Sequence, residues 1–135
     1  PFVQWLTAKG KRVVMPVIQE VAASDGTTPR MEHRLYTSEA CLRQNRWGLC
    51  EPQDGERVSL AEIDVIVVPA LGAGRNGHRI GYGRGYYDEF LRGVEAVSVC
   101  PVYSECVVPY IAPEPHDVPV SMIITDKETI RPALP

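Results

Sequence analysis

The spacing of apolar residues changes several times along the chain, and each change predicts an element. Phe2, Val3, Trp5 and Leu6 share one helical face that stops at Gly10, a C-cap position after Lys9. Val13, Val14, Met15, Val17 and Ile18 are nearly continuous, so residues 12–18 read as a strand buried on both faces. Residues 22–29 carry turn chemistry. Met31, His33 and Leu35 then alternate with Glu32 and Arg34, the period of a half-buried strand. Ser38 is placed to cap a short helix reaching Leu42, residues 48–57 read as loop, and Ser59 with Glu62 makes a capping box. The strongest strand signal is residues 63–68, closed by Pro69. A glycine-rich stretch follows, then a helix over 86–91 stopped by Gly93, then short strands over 95–100 and 120–125. Strands alternating with helices through non-hairpin connections predict one layered α/β domain over residues 1–135, with a mostly parallel sheet.

Composition narrows the class. The 135 residues are 44% hydrophobic and 23% charged, which suits one globular core and excludes disordered, collagen-like and coiled-coil chains. A formal charge of −3 gives no bulk attraction for nucleic acid or an anionic membrane. The longest apolar run, residues 63–71, is interrupted by Asp64 and Pro69 and is too short to cross a bilayer. No signal-peptide pattern is read at the start of the chain. Cys41, Cys50, Cys100 and Cys106 show neither CxxC spacing nor a disulfide framework, so free thiols of a cytoplasmic protein are expected and a zinc site is not. Cys100 ends an apolar strand with no base argued nearby, and reads as structural. His33 reads as a core histidine, His78 as solvated loop, Trp5 as core and Trp47 as a loop anchor.

Chemistry concentrates in residues 72–90, GAGRNGHRIGYGRGYYDEF. Gly72, Gly74, Gly77, Gly81, Gly83 and Gly85 are six of the 11 glycines in the chain. No Asp or Glu occurs from Val65 to Tyr87, whereas Arg75, Arg79 and Arg84 are present. Glycine lets backbone N–H groups turn inward to form an anion-binding nest, and arginine adds charge-assisted donors. The helix starting at Tyr86 brings further unpaired N–H groups, and the stretch follows the carboxyl end of a strand. This combination points to phosphate. The pattern matches neither GxGxxG with a following ribose-binding acid nor GxxxxGK[ST]. Asp88, one turn into the helix, is open to two readings: complementing the helix dipole, or holding Mg²⁺ beside a polyphosphate.

The run Arg79-Ile80-Gly81-Tyr82-Gly83-Arg84-Gly85-Tyr86-Tyr87-Asp88, after a strand ending in Val68-Pro69, resembles the 5-formyltetrahydrofolate cyclo-ligase (methenyltetrahydrofolate synthetase) family. Gly10-Lys11-Arg12 with Met15-Pro16, Trp47-Gly48-Leu49 with Glu51-Pro52, and His116-Asp117 before residues 118–125 resemble three further segments of that family, in order. The resemblance implies a three-layer α/β/α, NagB/RpiA/CoA-transferase-like fold. It also implies ATP and Mg²⁺ as co-substrate and cofactor, and a reduced folate as substrate. In that family ATP activates the formyl oxygen of 5-formyltetrahydrofolate as a phosphate ester. A neighbouring folate nitrogen then closes the ring, giving 5,10-methenyltetrahydrofolate, ADP and phosphate. By resemblance Arg79, Ile80, Gly81, Tyr82, Gly83, Arg84, Gly85, Tyr86 and Tyr87 bind ATP. Tyr82, Gly83, Arg84, Gly85 and Tyr86 also border the folate, Arg79 and Tyr86 are catalytic, and Asp88 and Asp117 ligate Mg²⁺. His116 is open to a catalytic or metal-linked role, but a positional role beside Asp117 is expected from the residues themselves.

The chain departs from the family pattern at three places. Ala70-Leu71-Gly72-Ala73-Gly74 stands where the family usually has Gly-[VL]-[AG]-Phe-Asp, and Ser121 stands where an acid often follows the last motif. The family's N-terminal segment, a basic helix and a folate-binding acid, has no counterpart before Pro1, so residues 1–135 alone are expected to turn over poorly. A monomer acting on small molecules is expected. A phosphate-binding module without turnover is the alternative from another class, and a sugar-phosphate isomerase-like enzyme is a weaker one because no proton-abstracting carboxylate is evident. Asp88 and Asp117 are expected on one wall of one cleft, brought together by residues 109–119, whose Pro109, Pro113, Pro115 and Pro119 make an extended crossing.

Overall fold

A computed structural model describes residues 1–23, 26–83 and 85–133. The chain divides into two compact units, Pro1–Glu62 and Ile63–Pro135.

In the first unit, α1 (Phe2–Ala8) ends where Gly10 takes a φ of 69°, the left-handed conformation that favours glycine. The helix buries none of its residues. Trp5 is 56% exposed and stacks on Phe2 with ring centroids 6.3 Å apart, so it meets its own helix rather than a core. β1 (Val13–Ala23) and β2 (Gly26–Tyr36) pair antiparallel from Val13↔Tyr36 to Ala23↔Gly26. This hairpin replaces the expected non-hairpin connection, and most of the turn expected over 22–29 continues the ladder. Thr27 and Thr28 are β-branched and suit a strand once a partner strand is offered. Ser24 and Asp25 lie outside the described residues. Among the described residues β1 pairs with β2 alone, and it is half-buried: Val17 is enclosed while Val13, Val14 and Met15 are only partly covered. His33 is buried as expected, and burial holds its pKa below 6.5.

Ser38 precedes a 3₁₀ turn, Glu39–Cys41, but caps it with its carbonyl, which accepts from the Cys41 N–H, and not with its side chain. β3 (Leu42–Gln44) and β4 (Cys50–Pro52) form a second short hairpin, so residues 50–52 are strand where loop was expected. Glu51 of β4 is buried and accepts a hydrogen bond from the Ile18 N–H at 3.2 Å. Trp47 is 43% exposed, with the Arg46 guanidinium 4.3 Å from its ring centroid. Ser59 N–H donates to Glu62 Oε2 at 3.0 Å, the backbone half of the capping box.

The second unit contains β5 (Val65–Val67), β6 (Gly72–Gly74), β7 (Arg79–Ile80), α2 (Tyr86–Leu91), β8 (Val97–Pro101), β9 (Val107–Val108), β10 (Met122–Ile124) and β11 (Thr129–Ile130). One sheet has the order β11-β10-β8-β5; β5, β8 and β10 run parallel and β11 antiparallel. This is the mostly parallel α/β arrangement predicted. Ile66, Val68, Ser98, Cys100, Ile123 and Ile130 are buried, while Val65, Val67, Val97 and Ile124 alternate with them and are exposed. Phe90 and Leu91 of α2 are also buried. Ser98 and Ser121 bond reciprocally, each N–H donating to the other's Oγ, at 3.2 and 2.9 Å. This pair anchors the chain just before β10 to β8. No helix among the described residues is long and apolar enough to cross a membrane.

The glycine-rich stretch is more ordered than a loop. β6 pairs antiparallel with β7 and parallel with β9, forming a three-stranded sheet of the order β7-β6-β9. The Asn76-Gly77 dipeptide sits in the β6–β7 connection, where Gly77 has a φ of 88°. A side chain at Gly77 would meet Pro119, Pro132 and the Val120 carbonyl, each at 3.1 Å. Residues 81–83 are neither strand nor helix, and Gly85 is the N-cap of α2.

Candidate functional site

Three of the predicted site residues, Arg79, Asp88 and Asp117, occupy the part of the chain where β7, α2 and residues 109–119 meet. Arg79 leaves β7 with a side chain only 6% exposed. Its Nη2 donates to Asp88 Oδ1 at 3.0 Å and its Nη1 to the Val118 carbonyl at 2.8 Å. The same Asp88 oxygen accepts from the Val118 N–H at 3.1 Å. The carboxylate on the first turn of α2 is therefore joined to the residue that directly follows Asp117. β10 runs parallel to β8, so it is residues 109–119 that bring Asp117 toward α2, as the expected crossing requires.

Asp117 fastens its own turn. Its Oδ2 accepts from the Glu114 N–H at 2.8 Å, and the Asp117 N–H donates to the Glu114 carbonyl at 3.0 Å. His116 Nε2 lies 3.7 Å from Asp117 Oδ1 and 3.4 Å from Glu114 Oε2, beside the carboxylate it was expected to position. Arg92, at the end of α2, donates to the His116 carbonyl at 3.0 Å. Asp88 Oδ2 and Asp117 Oδ1 are the oxygens left outside these N–H bonds.

The glycine turn contributes shape. Gly83 has φ 77° and Gly85, the N-cap of α2, φ 67°; a side chain at either would meet open space. Their glycines answer to backbone conformation and not to crowding. Among the described residues no side chain caps α2, so its first N–H groups have no capping partner. Tyr82 is 81% exposed, Tyr86 is partly buried, and Tyr87 packs edge-on against Phe90 with centroids 6.4 Å apart. Burial pushes the Tyr87 phenol and the Cys100 thiol up, and the nearby Arg79 charge opposes both shifts. Cys100 is fully buried, as its structural reading requires. Arg84 lies outside the described residues.

Two expectations need correction. The stretch without acids in sequence is not free of acids in space: Arg75 makes a two-pronged ion pair with Glu128, 53 residues away, and Arg79 is matched by Asp88. Neither arginine offers its whole charge to a ligand. His78 is half-buried, not solvated, and its Nδ1 is sealed from water with no hydrogen-bond partner among the described residues. Sequence reasoning also missed Asn76, whose Nδ2 donates to the Ile111 carbonyl at 2.8 Å while its Oδ1 accepts from the Ile111 N–H at 3.2 Å. The Asn-Gly turn signal was the available clue to the hairpin that places it.

With this geometry in hand, comparison with known proteins is decisive at the family level. The 5-formyltetrahydrofolate cyclo-ligase family matches residues 1–126. The chain belongs to that family. A 5-formyltetrahydrofolate cyclo-ligase of Mycolicibacterium smegmatis is 34% identical over 125 residues, covering 90% of this chain and 63% of the relative. A cyclo-ligase of Mus musculus is 31% identical over 103 residues, covering 67% of this chain and 51% of the relative. The NMR structure of Aquifex aeolicus 5,10-methenyltetrahydrofolate synthetase matches all of this chain and 65% of its own, with a TM-score of 0.80 and 30% identity. The chain thus spans about half to two-thirds of the length of these cyclo-ligase relatives.

Mg²⁺ can be tested against the donors around Asp88 and Asp117. Among the described residues no group of three or more His, Cys, Asp or Glu is gathered to hold an ion. A preformed cage is therefore absent from them. Mg²⁺ needs only one or two carboxylates, with phosphate oxygens and waters completing its octahedron. Asp88 and Asp117, each with one oxygen outside its backbone contacts, fit that requirement.

Proposed function

We propose that this chain carries the MgATP-binding part of a 5-formyltetrahydrofolate cyclo-ligase, and that the protein cyclises 5-formyltetrahydrofolate to 5,10-methenyltetrahydrofolate with release of ADP and phosphate. The observation that carries the proposal is the Asp88 carboxylate. Tied at one oxygen to Arg79 and to the Val118 N–H, it lies beside a turn whose backbone needs two left-handed glycines.

In this reading residues 79–87 hold the phosphates, chiefly through the backbone of Gly81, Gly83 and Gly85 and the Arg84 guanidinium. Tyr82 and Tyr86 border the folate. Asp88 and Asp117 would hold Mg²⁺, which supplies neutralisation of the polyphosphate charge when bound. The formyl oxygen attacks the terminal phosphorus and the bond to ADP breaks; the folate nitrogen then attacks the activated carbon, loses its proton to water, and phosphate leaves. The chain's part is to align the donor phosphate and exclude water, since phosphoryl transfer is mostly positioning and charge stabilisation. Tyr86 opens α2 beside the turn, and Arg79 serves the reaction by fixing Asp88.

The test is ATP titration of the natural protein carrying this chain, with and without Mg²⁺, alongside methenyl absorbance on mixing with 5-formyltetrahydrofolate. Mg²⁺-dependent binding and ATP-dependent absorbance are expected. Binding without absorbance returns the module reading, and absence of binding overturns the proposal. Asp117→Asn is expected to raise the Mg²⁺ concentration for half-maximal ATP binding roughly tenfold, the loss of one charged ligand contact.

A further inference from the structure

Residues 109–119 form neither helix nor strand, yet they carry Asp117 and Val118 to α2. Pro109, Pro113, Pro115 and Pro119 remove four N–H donors from this strap, so it cannot fasten itself by a backbone ladder. Side chains from elsewhere hold it. Arg79, Asp88 and Arg92 grip its far end at Val118 and His116. Its near end is gripped by Asn76, which satisfies both the N–H and the carbonyl of Ile111.

We propose that Asn76 is a positioning residue for the Mg²⁺-binding carboxylates, and that in this chain it replaces the acid expected at position 74. The inference rests on the MgATP reading of the site. A Cβ at Gly74 would lie 2.4 Å from Asn76 Oδ1 and 2.8 Å from the Ile111 nitrogen. The volume a side chain at 74 would enter is thus filled by the Asn76 carboxamide, aimed at the same Ile111 amide. A carboxamide both donates and accepts, so it pairs both polar groups of Ile111; a carboxylate only accepts. Gly74 and Asn76 therefore depend on each other: the glycine makes room for the amide, and the amide supplies the strap contact that the glycine lacks. Ordering the strap at Ile111 limits where Asp117 can stand relative to Asp88.

Asn76→Ala, Asn76→Asp and Gly74→Ala, made in the natural protein, test this by amide hydrogen exchange and by the Mg²⁺ dependence of ATP binding. Asn76→Ala is expected to speed exchange at Ile111 and Val118 about tenfold or more, while Val99 in β8 is unchanged. The Mg²⁺ requirement for ATP binding should rise severalfold, with Mg²⁺-free ATP affinity unaltered. Asn76→Asp keeps the acceptor and should restore slow exchange at Ile111 in part. Gly74→Ala should displace the amide and reproduce Asn76→Ala from the other side, which keeps the test alive if Asn76→Ala fails to fold. Unchanged exchange at Val118, or exchange raised equally at Val99, overturns the inference. If the parent itself binds no MgATP, the proposed function fails, while the exchange arms still decide what Asn76 holds.

Discussion

Asp88→Ala removes the acceptor shared by Arg79 and the Val118 N–H, at 3.0 and 3.1 Å. The Arg79 side chain is 6% exposed and that of Asp88 20%, so water can replace the carboxylate only from one side. Breaking a buried ion pair costs about 3–5 kcal/mol because the remaining charge is left desolvated. Arg79 keeps its 2.8 Å bond to the Val118 carbonyl, and partial access of water lowers the figure further. A loss of about 2–4 kcal/mol is therefore expected. With a urea slope of about 2 kcal/mol/M, the unfolding midpoint should fall by roughly 1–2 M. Asp88→Asn retains an oxygen for both donors and should lose about half as much. Arg79→Met removes the charge that needs matching, so Arg79→Met with Asp88→Ala should be less harmful than the two single losses added together, by about 1 kcal/mol or more. Urea unfolding of the parent and the four variants, followed by circular dichroism, measures all of these terms. An Asp88→Ala midpoint within about 0.3 M of the parent would refute the buried-pair reasoning, because it would mean that Arg79 is solvated.

Two further outcomes follow from the geometry. Gly83→Val places a β-branched residue at φ 77° and should abolish MgATP binding by moving the turn's backbone, with Gly83→Ala weakening it less; wild-type affinity in both, measured by titration calorimetry, refutes the phosphate-turn assignment. His33 has a pKa held below 6.5 by burial, so the unfolded chain takes up its proton first as pH falls. Stability should be unaffected by this group above pH 6.5 and decline progressively below it, and His33→Gln should flatten that decline in urea midpoints measured between pH 7.5 and 5.

Local chemistry was enough to place the elements whose causes are local. The apolar face of residues 2–6 with Gly10, the apolar run of residues 63–68, and the helix after Gly85 all have their determinants within a few neighbouring residues, and the structure puts elements there. The family motif was legible for the same reason: its glycines and aromatics are contiguous. The β1–β2 hairpin was not, because Thr27 and Thr28 are as compatible with turn as with strand until a partner strand decides between them.

The site shows the division most clearly. Sequence alone determined that residues 79–88 combine glycine turn, arginine and acid, and that Asp117 stands in a second family-like segment. Only tertiary structure decided which charges remain available. Glu128 reaches Arg75 across 53 residues, and Asp88 turns inward to Arg79. It also decided how Asp117 arrives: by a proline-rich strap held at Ile111, His116 and Val118, with β10 still parallel to β8. Charge neutralisation and hydrogen bonding depend on distance in space, and no local pattern records which residue, dozens of positions away, will stand within 3 Å.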